Sequence, residues 1–427
     1  MLERLATSRI AGLRRWAARK AADRALHWAA LKGGADDPYV LMRLGLYPYA
    51  LATPAGDRAG EAGRMIAAAA MGDPGPNVPV PGTLKQVAAR AIAPNNPRAA
   101  LGLLPGDAIE AGAACLIAIG DTVAAAALVS EMDSREAMAI RAHIAVTDGD
   151  PGGARRLLKA MFVNDGLGPP LGGEEGAFGI DTLKSPALEA VDGPKVSIIV
   201  PYHDAADTLA AAAESLLAQS WRNLEILLVD DRSTDESPAI AAALAEKDGR
   251  VITLANQRDA GVYGARNTAI DVATGEYVTF LDADDWSPAE RIARQVRALG
   301  GQALTIANHI RMDEAGRPVA PRVFPLVRPV PITMLLRRET LAEAGPFEAV
   351  ATGADSEMFA RLEMLHGKRS VARDPAVLLV ARWRSGSLSD ASDGGMLGVE
   401  RYAYRADWMF RHAGLEPPRL PAAPGEA

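Results

Sequence analysis

The apolar positions of the chain change rhythm near residue 190. Upstream the sequence is alanine-rich, poor in β-branched runs and patterned for helices. Downstream, apolar runs at 196–200 (VSIIV), 224–229 (LEILLV), 251–255 and 277–281 (YVTFL) predict strands. Helical stretches fall between them: through about Gln219, at about 235–247 and at about 262–273. Such alternation implies right-handed crossovers and a mainly parallel central sheet, an α/β domain preceded by an all-α one. In sheets of this kind ligands bind beyond the carboxyl ends of the strands.

The first half has its own punctuation. Pro94-Asn95-Asn96-Pro97 is a breaker between helices. Gly120-Asp121 and Gly149-Asp150 recur at a spacing of 29, each followed by an alanine five residues after the glycine (Ala125, Ala154). Glycine accepts left-handed geometry and aspartate caps the next helix, so both read as helix-hairpin turns. An ordinary bundle and a tetratricopeptide-like array fit this equally. At the N-terminus, Leu2, Ala6, Ile10, Leu13 and Ala17 share one helical face, with Leu5 and Trp16 on its edge. Residues 1–32 carry eight basic and two acidic side chains. That segment reads either as a helix packed on its own protein or as one lying on an anionic membrane surface. The expected organisation is therefore a basic amphipathic segment at 1–35, an all-α helical-hairpin domain at 36–163 and a Gly/Pro-rich linker at 164–194. The α/β domain at 195–390 and a C-terminal helix with a mobile tail at 391–427 follow.

Length and charge narrow the function classes. A chain of 427 residues favours two or three domains, and 49% hydrophobic residues suffice for real cores. The net charge of −7 argues against a nucleic-acid coat. A single cysteine, Cys115, excludes an intramolecular disulfide framework or a multi-cysteine zinc site and suits a reducing compartment. The best membrane-span candidate, 111–129, is mostly alanine and is interrupted by Asp121 and Thr122. Basic residues leave no apolar h-region for a signal peptide. The expected location is cytoplasmic, with the inner face of a membrane as the peripheral alternative.

Polar residues crowd the predicted strand ends. The first strand runs into Pro201-Tyr202-His203-Asp204, and the second into VDDRSTD (229–235), where Ser233 and Glu236 have capping-box spacing. The fourth runs directly into Asp282-Ala283-Asp284-Asp285. Three carboxylates in four positions repel one another unless a cation or solvent neutralises them. Oxygen-only donors favour a hard divalent ion, Mg²⁺ or Mn²⁺, completed by phosphates and water. Simpler readings hold elsewhere: His309 and His366 read as structural, Trp286 as a packing residue, and Trp383 as a side chain that stacks with arginine.

Four segments then stand in a telling order: 196–237 (VSIIVPYHDAADTLAAAAESLLAQSWRNLEILLVDDRSTDES), 259–285 (DAGVYGARNTAIDVATGEYVTFLDADD), 335–367 (LLRRETLAEAGPFEAVATGADSEMFARLEMLHG) and 381–390 (ARWRSGSLSD). Together they resemble the family 2 glycosyltransferases, with that family's N-x-G, A-R-N, G-E-Y and D-x-D-D pattern and its R-x-H-x-G-S-x-S ending. The resemblance implies the GT-A nucleotide-diphospho-sugar fold. It also implies a nucleotide-sugar donor and a glycan, lipid-linked or protein acceptor, with the N-terminal helices left to a protein partner or to membrane contact. By the same resemblance Pro201, Tyr202 and Asp231 border the nucleotide, and Arg266 contacts phosphate or organises its loop. Asp282 binds ribose or supports the site, Asp284 holds the cation, Asp355 is the catalytic base, and Arg384 neutralises the departing diphosphate. Three positions depart from the pattern: Asp259 replaces the asparagine of N-x-G, Ala354 replaces a glutamate, and Arg384 replaces a histidine.

The chemistry is coherent with one base and one metal, which give direct displacement with inversion, since no second nucleophile is evident. Two other classes compete. A nucleotidyltransferase wants a glycine-rich basic phosphate loop, which PYHDAAD is not. A helical scaffold carrying a degenerate transferase domain fits Ala354 and Arg384, but not the retention of Asp231, Asp284 and Asp355.

Overall fold

The computed structural model describes residues 2, 7, 11–24, 27–73, 80–172, 179–384 and 399–417. The chain groups into two compact units: Met1–Val129 with Pro321–Phe324 and Ser385–Ala427, and Ser130–Ala320 with Pro325–Arg384.

The first unit is helical. Its helices are α1 (Ala11–Asp23), α2 (His27–Gly34), α3 (Pro38–Arg43), α4 (Tyr47–Ala52), α5 (Arg58–Ala70), α6 (Lys85–Ile92), α7 (Pro97–Leu103), α8 (Ile109–Ala118) and α9 (Thr122–Val129). Their starts are where short polar side chains can satisfy free backbone N–H groups. Asp37 accepts from Tyr39 N at 3.0 Å, Asp57 from Gly60 N at 2.9 Å, Asn96 from Ala99 N at 2.9 Å and Asp121 from Ala124 N at 3.0 Å. Arg19 of α1 donates to both Asp37 (2.7 Å) and Asp57 (3.0 Å), so one guanidinium ties the starts of α3 and α5 to α1. Of the N-terminal amphipathic segment, residues 1, 3–6, 8–10, 25 and 26 lie outside the described residues. Within α1 the alanines Ala17, Ala18, Ala21 and Ala22 are buried in their own unit, while Trp16 is exposed.

The second unit begins with α10 (Arg135–Thr147) and α11 (Pro151–Asn164), a hairpin closed by Gly149-Asp150. Gly149 has φ +81° and the Asp150 carboxylate accepts from Gly153 N at 2.7 Å, the geometry that the glycine–aspartate pair favours. These two helices thus group with the α/β unit, apart from the helices before residue 130. The Gly/Pro-rich stretch after them is packed rather than free in its described parts. Leu167, Ile180 and Leu183 are buried, Leu171 pairs with Lys184, and Trp221 Nε1 donates to Pro194 O at 3.0 Å.

The sheet follows: β1 (Val196–Tyr202), α12 (Leu209–Leu217), β2 (Leu224–Asp230), α13 (Ser237–Lys247), β3 (Val251–Ala255), α14 (Val262–Val272), β4 (Tyr277–Phe280) and α15 (Arg291–Leu299). Then come β5 (Leu304–Met312), β6 (Pro318–Val319), β7 (Arg328–Pro329), β8 (Leu335–Arg337), α16 (Arg338–Ala344), α17 (Ala354–His366) and β9 (Val371–Arg382). The spatial order is β3-β2-β1-β4-β8-β5-β6, with β7 and β9 also pairing with β5. Strands β3, β2, β1 and β4 run parallel, β8 is antiparallel to both β4 and β5, and β9 runs parallel to β5. All seven residues of β1 and all four of β4 are buried, as expected where helices cover both faces of a parallel sheet. This is an α/β fold around a mostly parallel central sheet. A last helix, α18 (Val399–His412), belongs to the helical unit. Residues 385–390 of the final motif and 418–427 of the tail lie outside the described residues.

Candidate active site

Two loops interlock at the carboxyl edge. The Asp204 carboxylate, after β1, accepts from Thr234 N at 2.7 Å, after β2. Asp204 N donates to Ser233 Oγ (3.1 Å), Ala205 N to Ser237 Oγ (2.8 Å) and Ala206 N to the Asp235 carboxylate (3.0 Å). The expected Ser233–Glu236 capping box is therefore not formed. The Ser233 hydroxyl is spent on Asp204 N, and α13 starts later with no side-chain cap. Asp204 and Arg232 both have positive φ, 45° and 65°, so backbone strain is stored in both loops of this edge. His203 contributes to the same lock, its Nδ1 lying 2.8 Å from Asp231 O.

The residues expected around the nucleotide start from this edge. Pro201 lies within β1 in register with Val229, and Tyr202 is only 4% exposed. Burial pushes the Tyr202 hydroxyl up to about 12. Its side chain is a core member, and its carbonyl accepts from Asp231 N at 2.8 Å. The Asp231 carboxylate accepts from Asn256 Nδ2 (2.7 Å) and Gly261 N (2.6 Å). A carboxylate has about four lone-pair sites, so it can still accept from a ligand while holding the 256–261 loop.

Helix α14 begins at that loop, and its first turns carry the centre of the arrangement. Gly264 is required here, because a Cβ would lie 1.9 Å from Asp259 O. The Tyr263 hydroxyl donates to Asp355 Oδ1 at 3.1 Å and accepts from Gly353 N at 2.9 Å. The Tyr263 ring stacks on Phe347 at 5.6 Å, and burial raises its hydroxyl well above the ordinary phenol range. One turn on, Arg266 donates to Asp282 Oδ1 at 2.6 Å. Its guanidinium lies 5.3 Å from the Tyr263 ring centroid and 5.8 Å from those of Phe280 and Phe347. A nearly buried cation in an aromatic box with one carboxylate partner is a positioning device. Gly261, Tyr263 and Arg266 thus connect one short segment to Asp231, Asp355 and Asp282.

The acidic loop after β4 is held from the other side by β9. Asp285 is buried and its carboxylate accepts from Arg382 N at 3.0 Å, while Trp286 bridges to Val380. Burial, with the charges of Asp284 and Asp282, raises the Asp285 carboxyl well above the carboxylate range. Burial and Asp282 raise that of Asp284, which Arg384 offsets by donating to Asp284 Oδ2 at 3.2 Å. Arg291, wholly buried beneath the loop, donates to Phe280 O (2.8 Å) and Thr279 Oγ1 (3.1 Å). Burial pulls its guanidinium down to about 10.

Sequence patterns singled out neither Tyr263 nor Asn256. Asn256 donates to Asp231 and to Asp259 O (2.9 Å) and accepts from Thr268 Oγ1 (2.9 Å) and Arg258 N (2.9 Å). The signal for Tyr263 was its place three residues before Arg266, on the same helical face. Among the other side chains considered, Trp286 is a buried packing residue against Phe162, and His309 is buried with Nδ1 at 2.8 Å from Arg328 O. Trp383 lies under Arg311 at 5.6 Å.

The profile of Glycosyl transferase family 2 matches residues 197–340, the stretch from β1 into α16 that contains the interlocked loops and the acidic loop. Residues 197–340 carry the family 2 glycosyltransferase signature. A UDP-Glc:α-D-GlcNAc-diphosphoundecaprenol β-1,3-glucosyltransferase, WfaP of Escherichia coli, is 41% identical over 101 residues, 24% of this chain and 39% of that protein. ExoO, a succinoglycan biosynthesis protein of Rhizobium meliloti, is 37% identical over 125 residues, 29% of this chain and 35% of that protein. The matches thus span well under half the length of these relatives. Among solved structures, TarS 1–349 of S. aureus with UDP-GlcNAc is 18% identical with a TM-score of 0.40, covering 51% of this chain and 71% of that one. The second unit places Asp282 and Asp284 on one loop and Asp355 at the start of α17, with Arg266 and Tyr263 bonded to Asp282 and Asp355.

Proposed function

We propose that the chain is an inverting, divalent-cation-dependent glycosyltransferase that moves a sugar from a nucleoside-diphosphate donor to an acceptor hydroxyl in glycan or glycolipid synthesis. One observation carries the reading: a single segment, 261–266, contacts the carboxylates assigned to donor, acid loop and base. Asp355 is the proposed general base, taking the acceptor proton as the hydroxyl attacks. Tyr263 fixes it by donating to Oδ1. Asp231, with Pro201 and Tyr202 at its back, borders the nucleotide, and Arg266 sets the position of Asp282.

The donor set suits a hard cation. It is oxygen-only and net negative, and burial together with repulsion from Asp282 raises the carboxyl of Asp284. Among the described residues no three acidic or histidine groups lie close enough to hold an ion by themselves. Asp284 would therefore hold Mn²⁺ or Mg²⁺ together with diphosphate oxygens and water. Such an ion supplies Lewis-acid stabilisation of the leaving diphosphate. Arg384, on Asp284 at 3.2 Å, stands ready to pair with the diphosphate instead. The WfaP relative, by its name, acts on a lipid-diphosphate sugar, which makes a lipid-linked acceptor the first to try.

The test is a thermal-shift screen of nucleotide sugars with Mn²⁺, followed by product analysis with the stabilising donor. Release of free nucleoside diphosphate and a product of inverted anomeric configuration are expected. Release of pyrophosphate would indicate nucleotidyl transfer, and a donor that binds without any turnover would favour the non-catalytic scaffold.

A further inference from the structure

Among the described residues, the helical unit holds a group of cations with no carboxylate beside them. Arg405, on α18, lays its guanidinium against Gly45, whose Cβ position lies 3.6 Å from Arg405 Cζ. Gly45 lies two residues before α4, where Tyr47 meets Tyr402 of α18 at 5.8 Å between ring centroids. Arg322, on residues 321–324 that group with this unit, lies within electrostatic reach of Arg405, Tyr47 and Tyr402, and its neighbour Val323 has φ +67°. A β-branched residue in that region is strained, so the segment presenting Arg322 is held there at a cost.

The Nε atoms of both Arg405 and Arg322 are shut off from solvent and have no hydrogen-bond partner among the described residues. The charges felt at Arg405 are those of Arg322, Arg401, Tyr47 and Tyr402. Those felt at Tyr47 are Arg322, Arg405 and Arg90, and those at Tyr402 are Tyr47, Arg322 and Arg405. Among the described residues, no carboxylate figures at any of the three. Burial, with Arg322 beside it, pulls the Arg405 guanidinium down to about 10. Guanidinium groups are rarely enclosed together without an anion, because desolvation and mutual repulsion then go uncompensated. Their planar forks, with two phenol hydroxyls beside them, match the oxygens of a phosphate.

We propose that Arg405, Arg322, Tyr47 and Tyr402 form a phosphate-binding site in the helical unit, for a phosphoryl group that is either free in solution or part of a lipid headgroup. The site is independent of the donor-binding edge and of the activity assigned there.

The experiment uses the full chain at low salt. Melting temperature is recorded in sodium phosphate, in pyrophosphate and in chloride of matched ionic strength. Sedimentation is measured with phosphatidylcholine vesicles with and without phosphatidylglycerol. Arg322→Gln and Arg405→Gln are compared with the parent chain, each with the Mn²⁺–nucleotide response as a control for the other site. The expected result is a rise of several degrees in phosphate or pyrophosphate, or phosphatidylglycerol-dependent sedimentation, that both variants lose. Both should melt in chloride no lower than the parent and keep the nucleotide response. A response to the free anions identifies a mobile phosphate, and one confined to vesicles identifies a lipid headgroup. If Arg405→Gln fails to fold, Arg322→Gln alone carries the test. The proposal is overturned if the parent responds to none of the anions, if the response survives in the folded variants, or if Arg322→Gln melts lower in chloride.

Discussion

At the scale of single residues, Tyr263 is the hinge of the acidic edge, since its hydroxyl serves both Asp355 and the Gly353 amide. Tyr263→Phe removes a donor from one and an acceptor from the other. We predict a turnover lower by about tenfold with little change in donor KM, and a stability loss of about 1 kcal/mol. Steady-state kinetics and thermal melts check both. Asp355→Asn keeps the shape but not the base. Turnover should fall by about 10²–10⁴-fold while the donor-induced thermal shift persists, and near-normal turnover would remove Asp355 from the role. The aspartates were legible because carboxylates at strand ends stand out against an apolar background. Tyr263 and Asn256 were not, because a tyrosine or an asparagine becomes informative only when folding brings its partner near, and Asp355 is 92 residues away from Tyr263.

At the scale of elements, β3 lies at 251–255 as its apolar pattern predicts, and β1, β2 and β4 lie within two residues of expectation at each end. Buried parallel strands advertise themselves through uninterrupted Val/Ile/Leu runs. Helix α13 lies within two residues of its expected span, but its expected cap is absent, since Ser233 has the chemistry of a cap and a tertiary partner claims its hydroxyl. The start of α14 depends on Gly264, so Gly264→Ala should cost about 2–3 kcal/mol and weaken donor binding by displacing Gly261 and Arg266 together. A melt and a donor titration read both effects. On β5, burial pulls His309 down to about 3, with Arg328 and Arg311 adding to it. The unfolded chain takes up a proton near pH 6.5 and the folded chain does not, so this contribution is present above that pH and is lost as pH falls. Between pH 6.5 and 5 the loss is about 2 kcal/mol. A His309→Asn variant should show a flatter stability profile over that interval, and an unchanged slope would refute the assignment.

At the scale of the whole molecule, composition marked the change from helical to α/β sequence, yet the compact units divide at residue 129 and draw in residues 321–324 from far along the chain. Such grouping rests on packing between distant segments, which local periodicity does not encode. The proposed cation gives a prediction at this level. Chelation should abolish the nucleotide-dependent rise in melting temperature, and Asp284→Ala should do the same with Mn²⁺ in excess, whereas a shift that persists in Asp284→Ala would remove Asp284 as ligand. The paired loops at the carboxyl edge have a practical corollary. Asp204, Ala205 and Ala206 bond reciprocally with Ser233, Thr234, Asp235 and Ser237, so neither loop carries its conformation alone. Chimeras that graft 203–208 from a relative without 231–237 should misfold locally, and inheritance of donor preference should follow the two segments as one cassette.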